Sequence, residues 1–138
     1  MFFLVFEARV DNQIFVYNNI GEIIFQDGDY SNLDTLTLPG SNVLLAFKCV
    51  NSGGGYSLVG ALRNGGAVTD KTWRCVGGAE QSGWYEEDFN DSGWPHAREI
   101  SDHSFSDIDA SAKVIWTQSD DSSIYCRKLL RTGKKTVK

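Results

Sequence analysis

Proline is scarce in this chain, two residues in 138, and histidine is no commoner. With so little proline, turn-making falls to glycine, of which there are fourteen. Two histidines and three cysteines, at spacings that match no zinc motif, exclude the common structural zinc sites. Basic residues are also few: 13 Lys and Arg against 18 Asp and Glu leave a net charge of −5. That balance argues against a phosphate-backbone partner, which needs clustered cations. No apolar run approaches the roughly 20 residues of a membrane-spanning helix. Met1–Phe6 is apolar, but it lacks a basic start and a small-residue cleavage site. It reads as the opening of a first strand, any secretion signal having been removed or never present. Nor is there a phosphate-cradling loop, since Gly53-Gly54-Gly55 is followed by neither Lys-Ser/Thr nor a helix.

What remains is ample for a core: 41% hydrophobic residues and 12% aromatics. A chain of this length forms one domain and buries roughly two-thirds of its unfolded surface. We expect that domain to occupy residues 1–130, with the basic end 131–138 as a solvated tail. The periodicity is that of strands. Leu4, Phe6, Ala8 and Val10 alternate with Val5, Glu7 and Arg9. Gln13–Tyr17 is rich in β-formers, Asn18–Gly21 is a hairpin turn, and Glu22–Phe25 returns. Leu33–Leu38 and Tyr56–Leu62 follow as strands. Between them Val43–Val50 is almost wholly apolar, as expected of a strand buried on both faces. Ala112–Thr117 and Ser123–Leu130 are the last strands, with the polar turn 118–122 between them. No stretch longer than two turns carries a helical period. The fold class predicted is all-β, an antiparallel sandwich.

Three tryptophans stand at near-even spacing: Trp73, Trp84 and Trp94, with Trp116 beyond. Each ring favours burial, and each indole N–H needs a partner. Set among Gly and Asp, they predict loops with short strands from 68 to 105, held down onto the β-scaffold by the rings. Trp73, Trp94 and Trp116 are expected in the core. Trp84 with Tyr85 lies between the glycine-rich stretch 77–83 and Glu86-Glu87-Asp88, so it is either another anchor or an exposed stacking platform.

The segment Ala8–Asn19, built around Asp11-Asn12 and Tyr17-Asn18-Asn19, resembles the Asp-Asn, strand, Tyr-x-Asn-Gly segment of galactose-binding-like jelly-roll domains. Pro39–Phe47 is similar to their Gly-x-Asn-Val strand opening. Trp73, Trp84 and Phe89-Asn90-Asp91-Ser92-Gly93-Trp94 are similar to their Trp…Trp…Phe-Asp-Asp-Ser-x-Trp lead-in. The likeness covers residues 6 to 127. The order differs, because the tryptophan segment normally comes first. That points to a circularly permuted domain, or to the end of one repeat joined to the start of the next. Permutation predicts that the strand near Ile124–Leu130 shares a sheet with, or lies beside, the strand near Phe3–Val10.

The resemblance implies a non-enzymatic, extracellular, carbohydrate-binding module with a glycan or glycoprotein as partner. It implies sugar contacts at Asp11 and Asn12; an Asx turn between two strands is the plainer alternative. Asp27, Asp29 and Asp34 lie in one acidic segment, where Asp27 and Asp29 could hold the calcium that many such modules carry, or simply face solvent. Tyr30 and Trp84 are the candidate aromatic platforms. Cys75 and Cys126 fall in segments resembling one half-domain, so they form either a bridge or, with Cys49, three reduced thiols. The competing function is a protein-interaction or structural module of a larger cell-surface or matrix protein. No catalytic constellation is visible.

Overall fold

The structure is a computed structural model, and it describes residues 3–28, 33–39, 44–51, 57–63, 67–100, 107–119 and 121–130. Ten strands run in chain order: β1 (Phe3–Asp11), β2 (Gln13–Tyr17), β3 (Ile23–Asp27), β4 (Asp34–Pro39), β5 (Leu44–Val50), β6 (Ser57–Leu62), β7 (Arg74–Gly77), β8 (Arg98–Glu99), β9 (Ile115–Trp116) and β10 (Ser123–Leu129). No helix occurs among the described residues. Two five-stranded antiparallel sheets, ordered β4-β1-β6-β9-β8 and β3-β2-β5-β10-β7, pack as a sandwich.

The alternation in β1 does what its period requires. Leu4, Phe6, Ala8 and Val10 point inward and are buried, while Glu7 and Arg9 point out to pair with Arg63 and Asp107. From the facing sheet come Ile14, Val16, Leu45, Phe47, Cys49, Ile124 and Cys126. Phe6, Phe47 and Trp73 form the aromatic centre, with ring centroids 5.4–6.1 Å apart. Burying side chains of this size contributes about 1.5–3 kcal/mol each.

Both sheets are also covered on parts of their outer faces, and this explains the apolar character of β5 and β6. Leu45, Phe47 and Cys49 face the interior, whereas Leu44 and Ala46 pack under Trp84, Trp94 and Tyr125. In β6, Leu58 and Leu62 face the interior, while Val59 and Ala61 meet Ile108, Ala112 and Val114. Gly60 is obligatory there: a Cβ would stand 2.6 Å from the Phe6 ring and 2.7 Å from the Glu7 carbonyl oxygen.

Two expected strands change length. The hairpin turn is enlarged because Asn18 Oδ1 accepts from the amides of Ile20 and Glu22, so β3 begins at Ile23 and runs on to Asp27. The strand expected over 112–117 shrinks to Ile115–Trp116. The Lys113 amide bonds instead to Thr69, and the Val114 carbonyl accepts from Ile100.

The pairing expected of a permuted domain is not found. β1 lies between β4 and β6 in one sheet, whereas β10 lies between β5 and β7 in the other. The reason is register: all seven residues of β10 pair with β5, from Ser123 opposite Val50 to Leu129 opposite Leu44. β1 and β10 meet only through the interior they share, to which they give Phe6 and Cys126.

Candidate functional site

Strand direction places one set of polar residues at a single end of the sandwich. β1 ends at Asp11, opposite Ser57 at the start of β6. The Asn12 amide then donates to the Val50 carbonyl at 2.8 Å, so the chain crosses to the second sheet at this corner. β3 ends at Asp27, opposite Ile14. Asp34, at the start of β4, stands opposite Ala8. Asp11, Asn12 and Asp27 are half-buried, and Asp34 is buried. Two of the expected contacts, Asp11 and Asn12, therefore sit on rigid strand ends with one expected metal ligand, Asp27, on the neighbouring strand. Asp29 and Tyr30 lie outside the described residues. Among the described residues, no group of three His, Cys, Asp or Glu side chains is arranged to hold a metal ion.

Trp84 is elsewhere, and it is no platform. Its ring is fully buried, and its indole N–H donates to Glu80 Oε2 at 3.0 Å. Tyr17 meets it edge-on at 5.0 Å and Tyr125 at 5.1 Å. Tyr17 ends β2, five residues beyond Asn12, a separation of about 17 Å along a strand. Asp11, Asn12 and Asp27 thus lie at one end of the sandwich, Asp11 on one sheet and Asp27 on the edge strand of the other, and Trp84 lies apart from them. The local reason is that Tyr17, Ala46 and Tyr125 offer an apolar outer surface on which the loop folds down.

That loop is held by a residue whose role the sequence does not display. Arg127 on β10 is 1% exposed. Its Nε donates to the Trp84 carbonyl at 2.8 Å and Nη2 to the Glu86 carbonyl at 2.7 Å, while Nη1 pairs with Asp91 Oδ2. The guanidinium also lies over the Phe89 ring, 5.3 Å from its centroid. A lone arginine alternating with Tyr125 in an apolar strand was the available clue. Buried charge of this kind is kept where every donor finds a partner.

Ionisable groups near the loop respond to this packing. Burial pushes the Tyr17 and Tyr125 phenols above their ordinary range, and the Glu80 carboxylate adds to both shifts. Burial likewise pushes the Cys49 thiol up. On the other sheet, the Arg9 side-chain bond raises the guanidinium and holds Asp107 below the usual carboxylate range.

Cys75 and Cys126 are bridged, with Cα atoms 4.2 Å apart, directly opposite one another on β7 and β10. Cys49 is buried and free. Beside the bridge opens a cleft of about 290 Å³, lined by Cys75–Gly78, Pro95, Thr117–Ser119 and Asp121. Thr117 Oγ1 donates to Asp121 Oδ2 at 2.8 Å, and the Trp116 indole donates to the Asp121 carbonyl at 2.8 Å. In the sequence, residues 118–122 show only as a polar turn, and nothing in their pattern distinguishes Asp121 from its neighbours.

These features define a class, an antiparallel β-sandwich with loop-covered outer faces and polar strand ends. No protein-family model, curated protein or solved structure matches the chain.

Proposed function

We propose that this chain is a non-catalytic carbohydrate-recognition module of the extracellular space, related to the galactose-binding-like jelly rolls that its motifs resemble. The observation that carries the reading is the strand-end corner, where Asp11 and Asn12 stand on paired backbone at the same end of the sandwich as Asp27. A carboxylate that accepts two hydroxyl donors, next to an amide that donates and accepts, suits a polyhydroxylated ligand. Fixed strand ends would present them without an ordering cost. The Cys75–Cys126 bridge supports an oxidising compartment.

The test is a glycan array probed with the protein in calcium and again in chelator, which also decides the calcium proposal at Asp27 and Asp29. Losing one hydrogen bond to a charged group costs about 1.5–3 kcal/mol. Asp11→Ala should therefore weaken glycan binding at least tenfold. A wild-type protein that binds no glycan in calcium would overturn the reading, while an Asp11→Ala variant that binds like wild type would remove the corner from it.

A second reading, a protein-interaction module, is favoured by one observation. Ile20, Ile23 and Ile24 are 69%, 48% and 44% exposed on and beside the edge strand β3. An apolar sheet edge invites another chain. Retention of glycan binding by an Ile23→Lys, Ile24→Lys variant separates the two readings.

A further inference from the structure

The cleft beside the disulfide is built around one carboxylate, and the sequence around it is arranged to hold that carboxylate in place. Asp121 is fixed through its carbonyl by the Trp116 indole and through Oδ2 by the Thr117 hydroxyl. Thr117 is itself 2% exposed, so the support is rigid. The carboxylate lies flat across β7 because residue 77 is glycine. A Cβ there would stand 2.2–2.6 Å from Asp121 Cγ, Oδ2 and Cβ, closer than any side chain tolerates. Gly78 follows with φ of +94°, turning the chain away and leaving the cleft mouth open.

The remaining wall is equally selective. Gln118 Nε2 donates to the His96 carbonyl at 3.1 Å, which fixes the amide and leaves its oxygen as an acceptor. Ser119 adds a hydroxyl, and Val76 and Pro95 supply apolar surface. A lining that offers both acceptors and C–H surface matches a ligand with neighbouring hydroxyls and an apolar ring face. The single carboxylate repels anions, and it is too few oxygens for a hard cation. The volume of about 290 Å³ lies at the bottom of the range for small-molecule sites, enough for one ring rather than a chain of them.

We propose that this cleft is a second ligand site, distinct from the Asp11 corner, which binds a single vicinal-diol unit, a sugar residue or a free polyol. It rests on the carbohydrate reading in ligand class but on its own geometry in position. Asn12 bonds to Val50, Asn51 to Ser122, and Ile124 pairs with Gly77. The two sites are thus three strand spacings apart, about 14 Å.

The experiment is amide chemical-shift mapping of the full chain with a panel of methyl glycosides, and separately with glycerol and myo-inositol. Shifts at Gly77, Gly78, Gln118 and Ser119, saturating with a glycoside, support the proposal; saturation with polyols alone assigns the site to free polyols. Asp121→Asn keeps an oxygen for the Thr117 hydroxyl and removes the charge, and it should weaken those shifts at least tenfold with melting unchanged. Gly77→Ala, which displaces the carboxylate, should weaken them as well, with some loss of melting temperature. Shifts confined to residues 11–13 and 27 would leave the strand-end reading standing and overturn this one. Shifts confined to the cleft would do the reverse for the corner. Unchanged binding by both variants, or no shifts with any probe, would also overturn it.

Discussion

The guanidinium of Arg127 donates through Nε to the carbonyl oxygen of Trp84, 2.8 Å away and 43 residues back along the chain. This bond converts the tryptophan loop from a surface excursion into a second layer over β5 and β10. The indole enters from one side and the arginine from beneath, with Phe89 lying against the guanidinium. Loop carbonyls that would otherwise be buried unpaired find their donors there.

Replacing Arg127 with methionine should fill the volume but strip the Trp84 and Glu86 carbonyls and the Asp91 carboxylate of their donor. We expect a loss of about 3–5 kcal/mol, the range for breaking one side of a buried ion pair. Urea unfolding followed by tryptophan fluorescence measures it. A cost below about 1 kcal/mol would show that the rings alone hold the loop.

The Cys75–Cys126 bridge closes a loop with a sequence separation of 51. Chain-entropy reasoning gives about 4 kcal/mol for a loop of that size. Reductant should lower the melting temperature, and the paired Cys75→Ala, Cys126→Ala variant should reproduce the shift. In the native oxidised protein a thiol reagent should find nothing to label, because Cys49 is buried and its thiol resists ionisation. Rapid labelling of Cys49 would contradict its placement in the interior.

Tyr17 and Tyr125 both have phenols raised by burial above the ordinary value of 10.0. A group whose pKa is raised on folding contributes stability that is complete below its unfolded pKa and is lost as pH climbs through the folded one. Stability should therefore hold to about pH 10 and fall above it. Denaturation midpoints from pH 8 to 12 test this, with phenolate absorbance reporting the late titration. In Tyr17→Phe, Tyr125→Phe protein the alkaline fall should be shallower, and an unchanged profile would assign it to other groups.

The strands were legible where one face is apolar and the other polar. The residues of β1 announce their register by alternation, and Val43–Val50 announces double burial by having almost no polar residue. Indole chemistry also carried through: all four tryptophan N–H groups have acceptors, at Val68, Glu80, Gln81 and Asp121. Local softness leaves Trp84 open between anchor and platform, and its burial makes it an anchor. Glycines and acids around a ring say how the chain bends, not what lies beneath it, and Tyr17, Ala46 and Tyr125 come from distant parts of the sequence. The cleft was illegible for the same reason. Asp121, Gly77 and Gln118 acquire meaning only when β7 and β10 are side by side.

The covalent bridge joins neighbours within one sheet and crosses no gap between sheets, so its mechanical role differs from its thermodynamic one. Under tension applied between β1 and β10, the two sheets are free to shear apart along their shared interior with the bridge untouched. The bridge instead withholds chain: the 51-residue separation between Cys75 and Cys126, at about 3.6 Å per residue, keeps roughly 180 Å of contour from ever being released. Oxidised, the protein is a short tether that gives way; reduced, it becomes a long one.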